Sequence, residues 1–304
     1  MIYDLIVIGA GSAGLTAALY ARRANKTVLL LEKGAFGGQI AFSPKVENYP
    51  GFESIPGSEL ADRFVEQVLT HGADVEVETV TAVADCGGYK TVSTQDGNDY
   101  RGRAVILAAG ARHRPLGLPH EEDFLGGGIS FCAVCDGAFY AGKTVALVGG
   151  GNSALQEAIL LADLCKKVYV IQNLDVLTGE KRLEEVLLAK DNVEILTGTV
   201  VSAIPEGSAF RGVQLKALAT GEERFLPLDG LFVAIGLEPE NDAFAAVADL
   251  DSQGYLAAGE DCLTRTPGVF AAGDCRARAV RQVATAISDG AAAAVAACRY
   301  LDSL

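Results

Sequence analysis

Positive charge is the first thing this sequence is short of. Its 304 residues carry 25 Lys and Arg against 39 Asp and Glu, a net charge of −14. That balance argues against a long basic face for nucleic acid, and an anionic membrane surface would repel the chain. No uninterrupted apolar segment reaches spanning length. The start, MIYDLIVIGAG, runs straight into a glycine turn, without the charged region and apolar run of a secretory signal. Histidine is scarce, with His71, His113 and His120 only. The seven cysteines are odd in number and irregularly spaced, unlike a secreted disulfide framework. What is left is a soluble protein of a reducing compartment, expected in the cytoplasm, with no nucleic-acid or membrane partner.

Apolar residues and glycine are plentiful. Hydrophobic residues make up 50% of the chain and charged residues 21%, enough to build two domain cores. The 35 glycines gather at strand-to-helix turns rather than in a low-complexity tract. YDLIVIGAGSAGLTAALYARRANKTVLLLEK reads as a buried strand, a glycine turn, an amphipathic helix and a second strand ending at Glu32. Gly9, Gly11 and Gly14 fill the G-x-G-x-x-G frame. The first permits a tight turn, the second lets the backbone approach a pyrophosphate, and the third lets helix and strand pack closely. The pyrophosphate then meets free N–H groups at a helix N-terminus, and Glu32 accepts from adenosine ribose hydroxyls.

A second unit, KTVALVGGGNSALQEAILLADLCKKVYVIQN, repeats the frame with Gly149, Gly151 and Ala154. Two such units predict an α/β fold with two Rossmann-like dinucleotide-binding domains. Between them Asp96-Gly97 marks a hairpin and VILAAG a buried strand. LDGLFVAIG mirrors that strand after the second unit, and VFAAGD leads to an Ala-rich closing helix.

The ordered motifs GAGSAG, GGQI (Gly37–Ile40), VENYPG (Val46–Gly51), CAVCDG, GGGNSA, and AAGD followed by RQVATA (Arg281–Ala286) resemble those of the low-molecular-weight thioredoxin reductases over essentially the whole length. The resemblance implies an FAD-binding domain at 1–112 plus 243–304, with an inserted domain of the pyridine-nucleotide type at 113–242 carrying the cysteine pair. It implies FAD contacts from Gly9, Gly11, Ser12, Ala13 and Gly14, from Glu32 and Lys33, from Gly38, Gln39 and Asn48, and from Val80, Ala109, Gly110 and Ala111. Gly273 and Asp274 would meet the ribityl chain. Arg281, Gln282, Val283 and Ala284 would aim a helix start at the flavin's N1 side, where reduction places negative charge. A homodimer is implied as well. One departure is AFSPK (Ala41–Lys45) in place of a Thr-rich stretch, which removes the basis for a contact from Ser43.

Cys132 and Cys135 stand two residues apart with Asp136 directly behind. A zinc site would want a second such pair, and Cys86, Cys165, Cys262, Cys275 and Cys298 supply none, so these five are expected to be packing residues. Cys-x-x-Cys closes into a disulfide easily and lowers the pKa of its exposed thiol. Asp136 can carry the proton that dithiol formation requires. By resemblance Cys135 faces the flavin and Cys132 attacks thioredoxin.

The electron source departs from the family pattern. NADPH-dependent members follow the second unit's strand with His-Arg-Arg and a further Arg. Here Gln172, Asn173, Leu174 and Thr178 stand at those places, and none is cationic. A 2′-phosphate wants bidentate Arg donors. Lys181 and Arg182 lie a few residues on, and no carboxylate ends the strand for NADH, the nearest being Asp175. The expected donor is therefore reduced ferredoxin. The alternatives are an NAD(P)H-dependent reductase with an unusual nucleotide site and an oxygen-using dithiol oxidase. Docking an acidic ferredoxin would need a local basic patch, for which Arg276, Arg278 and Arg281, or Arg112 and Arg114, are candidates unless they are ion-paired.

Overall fold

The computed structural model describes residues 1–43 and 46–304, so Pro44 and Lys45 of the AFSPK departure lie outside the described residues. The chain divides into two compact units, Met1–Arg112 with Glu238–Leu304, and His113–Leu237. The return thus falls a few residues before the position 243 read from sequence.

In chain order the first unit begins with β1 (Ile2–Ile8), α1 (Ser12–Arg23), β2 (Val28–Glu32), α2 (Gly57–Thr70), β3 (Asp74–Val77), β4 (Val80–Asp85), β5 (Lys90–Thr94) and β6 (Asp99–Leu107). β7 (Ala111–His113) leads out of it. The second unit contains β8 (Ile129–Ser130), α3 (Ala133–Asp136), β9 (Thr144–Val148), α4 (Asn152–Leu164), β10 (Lys167–Ile171), α5 (Lys181–Leu188) and β11 (Val193–Leu196). It continues with β12 (Thr199–Ala203), β13 (Gly212–Ala217), β14 (Glu223–Pro227) and β15 (Gly230–Val233). β16 (Leu237–Pro239) leads back, and β17 (Val269–Ala271) and α6 (Val283–Asp302) close the chain.

The first unit is built on one sheet in the order β3-β2-β1-β6-β5-β4. β1 pairs in parallel with β2 and β6, so its Leu5–Ile8 run is covered on both faces and wholly apolar. The hairpin β5–β6 turns at Gly97, whose φ of 84° is left-handed as a tight turn demands. β6 is shared: Asp99–Gly102 pairs with β5, while Val105–Leu107 pairs with β17 from the far end of the chain. α6 packs against α1 through small residues, and a Cβ at Gly290 would stand 2.2 Å from the Ala13 carbonyl oxygen.

The second unit has a parallel sheet β11-β10-β9-β15-β8 and an antiparallel sheet β12-β13-β14. Its core gathers Leu147, Leu155, Leu161, Val170 and Phe232 beside α4. No helix among the described residues is long and apolar enough to cross a membrane.

Candidate active site

The first glycine turn is shaped by contact. Gly9 has φ 102°, and a Cβ there would lie 2.3 Å from the Ala108 carbonyl oxygen; at Gly14 it would lie 1.8 Å from the Gly9 carbonyl oxygen. Neither position admits another residue. Gly11 differs, because the nearest atom to its Cβ would be Gly38 Cα at 3.9 Å. Its space is open, at the head of α1, where no side chain caps the free N–H groups of Ser12, Ala13 and Gly14. Gly37 donates to the Ala10 carbonyl and bridges Gly11, which brings Gly38 and Gln39 beside the turn. Sequence reading passed over Gly37 as a site residue, although its φ of 101° makes it a required glycine.

Contacts tie the other candidates of this unit to that turn or to one another. Glu32 Oε2 accepts from the Ala10 amide (2.7 Å) and Oε1 from the Gly34 amide (2.9 Å), tying the end of β2 to the turn. Lys33 pairs with Glu240. Gln39 Nε2 donates to the Ala111 carbonyl (2.8 Å), next to Gly110 with its left-handed φ of 70°. Asn48 Nδ2 donates to Gln282 Oε1 (3.1 Å) at the head of α6, which continues into Val283 and Ala284. Val80 packs with Ala109 on one apolar cluster. Gly273 has φ 79°, and a Cβ there would meet Ala13 Cβ at 2.8 Å.

Asp274 offers the clearest acceptor for a hydroxyl group. Its Oδ1 is buried and has no hydrogen-bond partner among the described residues. Burial pushes its carboxyl up from the ordinary range, opposed by the charges of Arg281 and Arg278. A buried acceptor without a donor costs free energy unless a ligand supplies one. An open Gly11, an uncapped helix start and this orphaned oxygen together fit FAD.

Arg276 and Arg278 are ion-paired, so they do not form the basic patch that docking an acidic ferredoxin would need. Arg276 is 1% exposed, and its guanidinium donates to both oxygens of Asp289 (2.7 and 3.0 Å). Arg278 Nη1 donates to Asp289 Oδ2 (2.6 Å), which also accepts the Gly273 amide (3.0 Å). These charges neutralise an acid that anchors the Asp274 turn, and its partners hold the Asp289 carboxyl below the usual range against the effect of burial. Arg281 lies over the Tyr255 ring (4.3 Å), and Arg112 pairs with Glu238 and Glu240. Asp289 was not singled out from sequence; its one signal is an acid inside an Ala-rich helix.

In the second unit Cys132 and Cys135 form a disulfide, with Cα atoms 5.3 Å apart. Cys132 caps α3, and its Sγ accepts the Cys135 amide (3.2 Å). Ser130 Oγ donates to Asp136 Oδ2 (2.6 Å) and accepts the Cys132 amide (3.1 Å), so one hydroxyl ties the acid to the Cys132 backbone. Asp136 Oδ1 is buried without a partner among the described residues, and burial raises this carboxyl's pKa against the Ser130 hydrogen bond. Cys165, Cys262 and Cys275 are buried and pushed up to about 11, 11 and 12, as inert packing thiols would be. Cys86 departs from that expectation, being exposed on the β4–β5 turn, where no packing demand buries it. Among the described residues no group of His, Cys, Asp and Glu could hold a metal ion.

The second glycine turn is covered by its own chain. A Cβ at Gly150 would lie 2.3 Å from Gln172 Nε2, and Gln172 is 5% exposed. That side chain is satisfied locally, donating to the Val176 carbonyl (3.2 Å) and accepting the Asn173 amide (3.1 Å). The Thr178 and Gly179 amides both donate to the Gly150 carbonyl (2.8 and 2.9 Å). At the head of α4, Asn152 exchanges hydrogen bonds with Glu180, which sets a carboxylate rather than a cation beside the turn. Lys181 and Arg182 are exposed.

A strand, glycine turn and helix made twice, with a disulfide on a short helix of the second unit, is the frame of the pyridine nucleotide-disulphide oxidoreductases, and the chain belongs to that family, whose model matches residues 3–290. Within it the similarity is to thioredoxin reductases. Those of Listeria innocua and Bacillus subtilis are each 40% identical over 304 residues, covering all of this chain and 95% and 96% of theirs. The crystal structure of thioredoxin reductase from Streptococcus pyogenes superposes with a TM-score of 0.94 at 38% identity, covering 100% of this chain and 99% of that one. The fold is the mixed α/β, two-dinucleotide-domain architecture of those enzymes, which are FAD-binding flavoproteins. The chain is a flavin disulfide oxidoreductase of the thioredoxin-disulfide reductase class.

Proposed function

We propose that the chain reduces the disulfide of thioredoxin through FAD and the Cys132–Cys135 pair, and that its electrons come from reduced ferredoxin rather than a pyridine nucleotide. The donor reading is carried by the second glycine turn, where Gln172 fills the space over Gly150 and Glu180 stands at the head of α4. A 2′-phosphate finds no guanidinium among Gln172, Asn173, Leu174 and Thr178. Hydrogen bonds to charged groups contribute about 1.5–3 kcal/mol each, so losing three removes useful NADPH affinity.

FAD, when bound, accepts electrons singly and delivers them in pairs. Gly9, Gly11, Ser12, Ala13 and Gly14 hold its pyrophosphate, and Glu32, Lys33 and Val80 its adenosine end. Gly38, Gln39, Asn48, Ala109, Gly110, Ala111, Gly273, Asp274, Arg281, Gln282, Val283 and Ala284 hold the ribityl and ring end. Breaking the Cys132–Cys135 bond takes up two electrons and two protons and leaves two thiols. Asp136, whose carboxyl burial shifts toward the protonated form, supplies one of those protons. Cys132 then loses its proton to solvent, and its thiolate attacks the disulfide of thioredoxin to form a mixed disulfide, the leaving thioredoxin sulfur taking up a proton. Cys135 resolves it, which re-forms the intramolecular bond and releases the dithiol partner. Kinship with thioredoxin reductases supports a homodimer, and the five unpaired cysteines accord with the cytoplasm.

An anaerobic stopped-flow titration tests the donor. NADPH and NADH at physiological concentration should leave the flavin absorbance unchanged on the second timescale. Reduced ferredoxin should bleach it and, with thioredoxin present, release thiols. Fast bleaching by NADPH would restore a nucleotide-dependent reductase. Oxygen uptake with a small dithiol and no ferredoxin effect would instead identify a dithiol oxidase.

A further inference from the structure

One acid beside the redox pair has no part in the steps above. Glu157 sits half-buried in the middle of α4, a helix whose buried positions are Ala154, Leu155, Ala158, Leu161 and Ala162. Its Oε2 accepts the Ala133 amide at 3.0 Å. Ala133 follows Cys132 directly, is 1% exposed, and opens the helix that carries the disulfide. The carboxyl therefore meets the first turn of the cysteine helix, one residue from the thiol that would attack a substrate.

A carboxyl is an expensive acceptor for one amide. Burial raises the Glu157 pKa, opposed by the Ala133 hydrogen bond alone. α4 packs against α3, the Gly137–Tyr140 turn, α5, β9 and β10. The titratable groups on those elements are Cys132, Cys135 and Asp136; Tyr140; Lys181, Arg182, Glu184 and Glu185; and Lys167 and Tyr169, with none on β9. Among the described residues none of these forms an ion pair with Glu157. A glutamine would make the same hydrogen bond without the cost of burying a charge. What glutamate adds is a negative charge, held on the amide of the residue that follows Cys132.

We propose that Glu157 is a positioning residue for the redox pair: through the Ala133 amide it fixes the first turn of the cysteine helix, and its carboxylate opposes negative charge on Cys132. The Cys135 amide pointing at Cys132 Sγ favours a thiolate there, and Glu157 balances that donor with a charge of the opposite effect. The reduced enzyme then holds Cys132 as a thiol, shielded from adventitious alkylation and oxidation. This inference rests on the redox role of the pair and not on the identity of the electron donor.

The test uses flavin-loaded enzyme reduced with dithiothreitol and freed of it. Alkylation of Cys132 by iodoacetamide is followed against pH by peptide mass spectrometry. Glu157→Gln keeps an acceptor for the Ala133 amide and removes the charge, so the midpoint of the alkylation profile should move to lower pH. The rate at pH 7 should rise about three- to tenfold, the change that half to one unit of thiol pKa produces. Glu157→Leu removes both charge and acceptor, so its difference from Glu157→Gln reports what the lost hydrogen bond adds. A Gln variant with the wild-type midpoint would overturn the proposal, whether the Leu variant changed or not, because Glu157 would then be at most a hydrogen-bond acceptor. Bleaching by NADPH would leave this measurement untouched, so the two readings fail separately.

Discussion

The two glycine turns share a frame and differ in what stands over them. Gly9 and Gly149 are both left-handed, with φ of 102° and 138°, and each has a neighbouring carbonyl oxygen within 2.4 Å of where a Cβ would be. Gly11 and Gly151 are equally clear, each with its nearest atom at 3.9 Å, but above the first turn Asp274 holds out an oxygen without a partner among the described residues. Above the second, Gln172 rests on Gly150, and the Thr178–Glu180 segment takes up the turn's carbonyl and the head of α4. The glycine pattern thus specifies a backbone shape. In the first unit an unpartnered acid oxygen stands by the turn; in the second, the segment after β10 lays a self-satisfied amide over it. On the proposed reading the first turn serves a cofactor, and the second is the footing of α4, which packs against the helix of the cysteine pair.

That division of labour can be broken one unit at a time, starting with the largest effect. Cys132→Ser should take disulfide reduction to background while FAD content, read from the visible spectrum, stays at wild-type level; loss of flavin in this variant would mean the units do not divide the work. Asp289→Ala strands two buried guanidinium groups beneath the Asp274 turn. It should cost about 3–5 kcal/mol in urea unfolding of the first unit.

Asp136→Asn should slow dithiol formation about 10²-fold or more, with flavin reduction little changed, in rapid-mixing experiments. Its thermal behaviour has a definite sign. The wild-type carboxyl is raised by burial, so the folded state binds the proton more tightly than the unfolded chain. Wild-type stability therefore rises as pH falls through the folded pKa toward the unfolded one. The Asn variant should lose that rise and melt no lower than wild type at pH 7. The smallest effects sharpen the comparison most. Gly11→Ala has room within the fold, with 3.9 Å to Gly38 Cα, so a roughly tenfold weaker hold on FAD, about 1.4 kcal/mol, would report the cradle itself. Gly151→Ala has the same clearance to Thr178 Oγ1 and should change neither flavin content nor turnover with ferredoxin.

Much of this was legible in the sequence because local chemistry dictates it. Gly9 and Gly14 cannot be anything else, the Leu5–Ile8 and Val28–Leu31 runs are apolar because parallel strands are covered on both faces, and Asp96-Gly97 could only be a turn. The Cys-x-x-Cys-Asp stretch announced its own disulfide and acid. What escaped depends on partners distant in the chain. Arg276 and Arg278 read as surface charge until Asp289, on α6, is seen to bury them. Gln172 was recognised as a missing cation, but its seat on Gly150 follows from the path of the loop after β10. Glu157 gave no signal, since its partner is a backbone amide and a backbone amide leaves no trace in sequence.

The shared strand β6 carries a consequence for how the molecule is made. Its inner half is completed by β17, which the ribosome delivers roughly 160 residues later, about 10–30 s at ordinary elongation rates. The second unit, contiguous in the chain, has all of its strands by Leu237 and can close while the first still waits with the Val105–Leu107 edge unpaired. The unit whose synthesis begins first is therefore the last to be finished. During that interval a row of apolar backbone at β6 has to be kept from other nascent chains, and translation speed between Leu107 and Val269 becomes a determinant of yield.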